Sequence, residues 1–268
     1  PDHWHFARAL YAGGLRKGDV VHNTFSYHFT PAGIMFDNAA KALGCTVVAA
    51  GVGNSDMQAQ SIAALKPKAY VGTPSFLKIV LDKADELGLD VSSMTHAVVG
   101  GEPFFPVQQA FFKARGLQVV QGYATADLGS IAYETSAQEG MVIDEDVYVE
   151  IVRPGTGDLV ADGEVGEVLV TNFNPHYPLI RFATGDMSAI LAGQSPCGRT
   201  NRRIKGWMGR ADQATKVRGM FVRPEQVAAL VAQHETVSKV RLEVSQTNGQ
   251  DVMLVLCETA SECADLVA

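Results

Sequence analysis

The chain has 268 residues, and its 22 basic against 29 acidic side chains give a formal charge of −7. That balance argues against nucleic acid or an anionic membrane as the main partner. With 47% hydrophobic and 19% charged residues the chain is not disordered, and at about 150 residues per domain its length suggests two domains.

Over the first 125 residues two periods alternate. Short apolar runs at 20–22, 46–50, 69–72, 96–100 and 118–121 are read as buried strands. Between them apolar residues recur at helical spacing: Phe36, Ala39, Ala40 and Leu43, then Phe76, Ile79, Val80, Ala84 and Leu87, then Val107, Ala110, Phe111 and Ala114. Pro106 is expected at the first position of its helix, where a missing N–H costs nothing. Strands alternating with helices imply right-handed βαβ units and a mostly parallel sheet. From about residue 140 the texture changes. The stretches 146–153 and GEVLVTN alternate apolar and polar, with turn formers in RPGTGD and ADGEVG between them, so an attached small antiparallel β subdomain is expected. Residues 177–180 are read as a short strand entering a turn at Thr184, Gly185 and Asp186. A third texture begins near Gly209: a strand at 215–218, a helix opened by Pro224, then strands at 237–244 and 252–256 joined by the Asn248–Gly249 turn, and a further helix at the end. This is the beginning of a small α+β C-terminal domain. The expected organisation is therefore an α/β large domain over 1–211, with a βα-layered part at 1–128 and a β-rich part at about 140–200, followed by a lid domain from 212 to 268.

In open α/β sheets ligands bind beyond the carboxyl ends of the strands. There the chain places NTFSYHFTPAG, TPSF, GEPF and GYATADLG. Four loops rich in Gly, Pro, Thr and aromatics at one sheet edge point to a small-molecule site, although each alone also reads as turn chemistry. Asp127 could hold a magnesium ion carrying phosphates, and Tyr123 could stack on a nucleobase. Asp186 has the acceptors to hold vicinal hydroxyls. Arg199, Arg202, Arg203, Lys205, Arg210, Lys216 and Arg218 concentrate positive charge, either to neutralise phosphates or as a solvated face. The seven histidines form no ligand pattern. The cysteines at 45, 197, 257 and 263 are too scattered for a disulfide scaffold or a zinc site. No apolar run reaches the roughly 18 residues of a membrane span, and PDHWHFARAL lacks a signal-peptide pattern. A cytoplasmic setting is expected.

Taken in order, TPSF, GGEPF, YATAD, RFATGD, CGRT and GRADQATKVRGMFVRPEQV resemble the adenylate-forming superfamily, and within it the phenylacetate–coenzyme A ligase family. The resemblance implies an ATP-dependent ligase that joins a carboxylate to AMP, releases pyrophosphate and passes the acyl group to coenzyme A, on an aryl or arylacetic acid. It implies ATP, magnesium and coenzyme A as cofactors, no structural metal, and a small carboxylic acid as substrate. A homodimer is carried as a further expectation. By the same resemblance Gly100, Gly101, Glu102 and Pro103 line the adenine slot with Tyr123 and Ala124. Asp186 holds the ribose, Arg210 approaches the ribose or phosphates as a catalytic group, and Asp127 stands at the family's magnesium-binding glutamate. Asp212 is the hinge, and Phe25, Tyr27 and Gly122 border the acyl pocket. The phosphate loop is expected upstream of residue 1 and the adenylation lysine beyond residue 268, so this stretch alone is expected to be inactive. Within YATAD, Ala124 replaces a usual Gly, Ala126 a hydroxyl and Asp127 a Glu. That departure keeps two other readings open: a non-catalytic nucleotide- or acyl-binding remnant, and an adenylating enzyme that loads a carrier protein.

Overall fold

The structure, a computed structural model, describes residues 2–211, 215–217, 220–222, 224–234, 236–247 and 250–259. Helix α1 (Phe6–Ala12) leads into β1 (Val20–Asn23), α2 (Ala32–Ala42), β2 (Thr46–Ala49), α3 (Ser55–Leu65), β3 (Ala69–Gly72), α4 (Pro74–Glu86), β4 (His96–Val99), α5 (Pro106–Ala114) and β5 (Gln118–Thr125). Two of these helices begin for visible reasons. The Thr73 hydroxyl accepts from the Phe76 N–H at 3.3 Å, with Pro74 in the first turn of α4. Pro106 opens α5, whose Gln108 side chain accepts from the Phe105 N–H at 3.0 Å.

The strands β2, β1, β3, β4 and β5 lie in that order and pair in parallel. Helices cover both faces, and the alternation along β4 shows how. Val98 faces Phe6, Leu10 and Phe36 of α1 and α2, whereas Ala97 and Val99 face Ile62, Leu77, Val80 and Phe112 of α3, α4 and α5.

β5 also begins the other half of the sheet. It pairs antiparallel with β6 (Gly129–Tyr133), which continues through β7 (Met141–Ile143) toward two strands from later in the chain. Next come β8 (Val147–Val152), β9 (Gly166–Asn172) and β10 (Phe182–Ser188), a separate antiparallel sheet in the order β10-β9-β8. The two-residue strands β11 (Ile190–Leu191) and β12 (Arg203–Ile204) complete the nine-stranded sheet by adding to β7. Val149, Ile151, Val168 and Val170 pack on Ile131, Met141 and Ile204 to form the third core, between the two antiparallel layers. The C-terminal part comprises a β13 (Thr215–Val217) and β14 (Met220–Val222) pair, α6 (Pro224–Gln233), and the β15 (Val237–Thr247) and β16 (Gln250–Thr259) hairpin. The fold is α/β with attached antiparallel β structure. Asn248–Gly249, Arg218, Asp212 and the expected last helix fall outside the described residues. No helix among the described residues is long and apolar enough to cross a membrane.

Several local expectations change. The edge strand β2 is not buried, and the stripe read for α5 is not its buried face: Val107, Ala110 and Ala114 are exposed and Phe112 is the residue that packs inward. On α4 and at its C-cap, Ile79 and Leu87 are exposed, while Leu77, Val80, Leu81 and Ala84 are buried. GYATADLG is not loop from its first residue, because Gly122–Thr125 extends β5 along β6. Residues 177–180 are not a strand: Tyr177 and Ile180 are exposed, and the Asn172 side chain takes the Leu179 N–H at 2.9 Å, which closes a loop there instead. Thr184, Gly185 and Asp186 do not form the turn after that strand. They lie inside β10, in a bulge between Ala183 and Met187 where the register with β9 shifts.

Candidate functional site

The site is built where the β4–α5 loop, β5 and the β10 bulge converge. A Cβ at Gly100 would stand 3.0 Å from the Gly122 carbonyl, tighter than ordinary contact, so a side chain there would push the loop and β5 a few tenths of an ångström apart. A second bulge, between Tyr123 and Ala124, sets the Tyr123 ring. Opposite, the chain from Gly206 to Arg210 runs back along β10: Met208 N–H donates to the Met187 carbonyl and Met187 N–H to the Gly209 carbonyl, both at 2.9 Å. Gly185 has φ 72°, and a Cβ there would meet the Arg210 guanidinium at 2.6 Å. Glycine is thus needed both for the backbone and for the arginine's path.

These elements enclose a cavity of about 450 Å³ bordered by Gly101, Glu102, Pro103, Tyr123 and Asp186, a size suited to a small organic ligand. Gly122 and Ala124 also reach it. The Asp186 carboxylate is its polar centre. The Tyr123 hydroxyl donates to Oδ2 at 2.8 Å, the Trp207 indole N–H to Oδ1 at 2.9 Å and the Arg210 guanidinium to Oδ1 at 3.2 Å. Arg210 also donates to the Thr184 carbonyl at 3.1 Å. Burial, opposed by a bond from Thr184 and reinforced by the Asp186 charge, pushes the Tyr123 phenol well above its ordinary range. It therefore stays protonated and serves as a donor to Asp186 while its ring faces the cavity. Glu102 turns its carboxylate to the start of α4, accepting the Ser75 N–H at 2.5 Å. That placement suits the positive end of the helix.

Sequence-expected residues outside this cavity have definite places. Asp127 is exposed in the turn after β5 and borders a second depression of about 760 Å³ with Trp4, Asn172 and His176. Among the described residues its carboxylate has no ion-pair partner, and no three His, Cys, Asp or Glu side chains converge on a metal-sized point. One exposed carboxylate is what magnesium uses when phosphates supply other ligands, so the donor chemistry at Asp127 fits that ion. Phe25 stacks on Phe36 at 4.8 Å, 16° from parallel, and its edge lies 3.6 Å from where a Gly101 Cβ would stand. Tyr27 accepts from Asn23 at 2.8 Å and donates to Asp37 at 3.4 Å. Burial and the Asp37 charge hold its phenol protonated.

The basic stretch is divided among several tasks. Arg203 is buried and donates to the carbonyls of Glu139, Ala192 and Gln194. Arg202 pairs with Asp162, and Arg199 sits beside the Cys197 sulfur at 3.7 Å. Lys205 borders the cavity and Arg210 holds its aspartate. Trp207 was not anticipated from sequence. The available signal was a large aromatic between Gly206 and Gly209, three residues before a site arginine.

Residues 3–174 match the family model described as AMP-binding enzyme. A phenylacetate-coenzyme A ligase of Aromatoleum evansii is 33% identical over 265 residues, covering 96% of this chain and 60% of that protein. Another from Escherichia coli (strain K12) is 32% identical over 262 residues, covering 94% and 59%. The chain thus spans under two thirds of the length of these relatives. Among solved structures, 2-hydroxyisobutyryl-CoA ligase in its postadenylation state with 2-HIB-AMP superposes with a TM-score of 0.77 at 25% identity, covering 94% of this chain and 56% of that one.

Proposed function

This chain belongs to the AMP-binding enzyme family, in its phenylacetate–coenzyme A ligase branch, and from that premise we propose that it is the site-bearing part of an ATP-dependent carboxylate–coenzyme A ligase. The observation that carries the reading is the meeting of Tyr123 and Asp186, 63 residues apart in sequence, through a 2.8 Å hydrogen bond at one cavity. A planar ring beside a carboxylate is what an adenosine requires, since the ring packs on the base and the carboxylate accepts the sugar hydroxyls. Gly101, Glu102 and Pro103 would form the opposite edge of the base slot. Arg210, already anchored on Asp186 and Thr184, would present its charge toward the ribose and phosphates.

The reaction runs in two halves. The substrate carboxylate attacks the α-phosphorus of ATP to give an acyl-adenylate and pyrophosphate. The thiol of coenzyme A then attacks the acyl carbon, and AMP leaves with the bonding pair. Neither half needs a protein nucleophile, so this chain contributes position and charge. Magnesium, when bound, neutralises phosphate charge, and Asp127 would be its protein ligand. An aryl or arylacetic acid such as phenylacetate is the proposed substrate, with Phe25, Tyr27 and Gly122 on the acyl side. The reading also holds residues 1–211 as the main domain, Asp212 as the hinge to a lid, a cytoplasmic setting and a homodimer.

The test is pyrophosphate release by the full-length protein with ATP, magnesium and a panel of carboxylic acids, followed by thioester formation with coenzyme A. Asp186→Ala is expected to abolish both. AMP binding with no pyrophosphate from any acid would instead identify a non-catalytic remnant. Adenylation that turns over only with a phosphopantetheinyl carrier would identify a carrier-loading enzyme.

A further inference from the structure

A carboxylate offers about four acceptor positions. At Asp186 three are taken, by Tyr123, Trp207 and Arg210, which leaves at most one for a ligand. A pair of vicinal hydroxyls that both donate to this carboxylate needs two. One protein donor must therefore withdraw when a ribose binds in that manner.

The three donors are not equally free to withdraw. The Tyr123 hydroxyl is on a part-buried side chain whose ring packs against the third core, and leaving would strand a polar group away from water. The Arg210 guanidinium is charged and held a second time by the Thr184 carbonyl, and its backbone is bridged to Asp186 itself. Trp207 is a neutral donor, 41% exposed, with Asp186 as the one acceptor of its indole N–H among the described residues. On release, that N–H can turn to water at little cost.

We infer that Trp207 is a gating residue of the nucleoside site: its indole N–H occupies the second ribose acceptor on Asp186 and must yield for a 2′,3′-diol to bind with both hydroxyls. The inference rests on the reading of this cavity as the adenosine site and adds to it a residue that sets selectivity. Trp207 lowers affinity for a ribonucleotide, which needs two positions, and does not affect a ligand that needs one. The indole borders the cavity, so its withdrawal is also visible as a change in its surroundings.

The experiment is calorimetric titration of the full-length protein and of Trp207→Phe with AMP and with 2′-deoxy-AMP, paired with tryptophan emission spectra. Trp207→Phe keeps an aromatic ring and removes only the competing donor. Affinity for AMP is expected to rise about three- to tenfold, as for loss of one donor competing at a charged acceptor near the surface, while affinity for 2′-deoxy-AMP stays within about twofold. AMP should change the emission of the native protein more than 2′-deoxy-AMP does, and this difference should vanish in the variant. Trp207→Leu, which also lacks the N–H, is expected to show the same rise for AMP and guards against an effect peculiar to phenylalanine. Equal changes for the two nucleotides, or weaker AMP binding in both variants, would overturn the gate while leaving the adenosine site standing. Failure of the native protein to bind either nucleotide would overturn the site reading and the gate with it.

Discussion

Replacing Asp186 by asparagine and by alanine separates its charge from its geometry. In Asp186→Ala the Tyr123 hydroxyl, the Trp207 N–H and one Arg210 N–H lose their acceptor together. Hydrogen bonds to charged groups contribute about 1.5–3 kcal/mol each in favourable sites. The Arg210 pair is 40% exposed on the arginine side, so screening reduces its share to about 0.5 kcal/mol. Trp207 is also at the surface and can rebond to water. The part-buried Tyr123 bond therefore dominates, and the expected loss of folding stability is about 2 kcal/mol. Asparagine keeps one acceptor for Trp207 and Arg210 and turns an N–H₂ toward the Tyr123 oxygen, which can accept. Its expected cost is about 1 kcal/mol. AMP affinity should fall about 30-fold or more in Asp186→Ala, which has no acceptor, and about three- to tenfold in Asp186→Asn, whose amide oxygen takes one ribose hydroxyl once Trp207 yields its place. Urea unfolding gives the first pair of numbers and calorimetry the second. A folded Asp186→Ala protein that binds AMP as tightly as the native one would refute the assignment of this carboxylate to the sugar.

Three further outcomes follow from other parts of the molecule. Gly185→Ala must hold a side chain at φ 72° and displace the Arg210 guanidinium; about 1–2 kcal/mol of stability should be lost, together with several-fold of AMP affinity, by the same two assays. Burial alone would push the Cys197 thiol up, but bonds from Ser195, from the Arg199 backbone and side chain and from Thr135 outweigh it and bring it down to about 6. Its alkylation rate should level off above about pH 7, and Arg199→Ala should move that midpoint upward; an unchanged profile would remove Arg199 from the account. His22 is fully buried against Gln58, and burial lowers its proton affinity below the usual histidine value, against the opposing Gln58 bond. The unfolded chain therefore takes up the proton first. This contribution to stability is present above about pH 6.5 and is lost as the pH falls from there through the folded-state value, by at most about 1.4 kcal/mol per pH unit. In His22→Gln the slope of stability against pH below 6.5 should be shallower, measured by urea unfolding at a series of pH values.

The parallel half of the sheet was legible where strands and helix faces are fully covered: β1, β3 and β4 are buried along nearly their whole length, and Phe36, Ala39 and Ala40 of α2 are buried at 3.6-residue spacing. At the edge strand β2 and on α5 the apolar residues read from the sequence are largely uncovered. The small strands were harder to read. β11 and β12 are two residues each; they pair with one another and β12 is held by β7, a contact between distant segments that no local pattern records. The β10 bulge was misread for a related reason. Thr184, Gly185 and Asp186 have turn-forming chemistry, and it is the pairing of the flanking residues 182–183 and 187–188 with β9 that carries them within a strand. In the site, Tyr123 and Asp186 were marked by residue type and position after a strand, along with Gly101 to Pro103. Trp207 escaped because its partner is 21 residues away and an isolated tryptophan carries no spacing signal.

β5 is the seam of the molecule. Its first four residues bind β4 on one side and its last four bind β6 on the other, so each half of the large sheet serves as the edge protection of its neighbour. A piece cut after residue 128 would keep every helix of the layered half yet expose the backbone of 122–125 along a raw margin, ready to recruit any other strand. The two halves thus share one strand, and the tyrosine of the site stands on it.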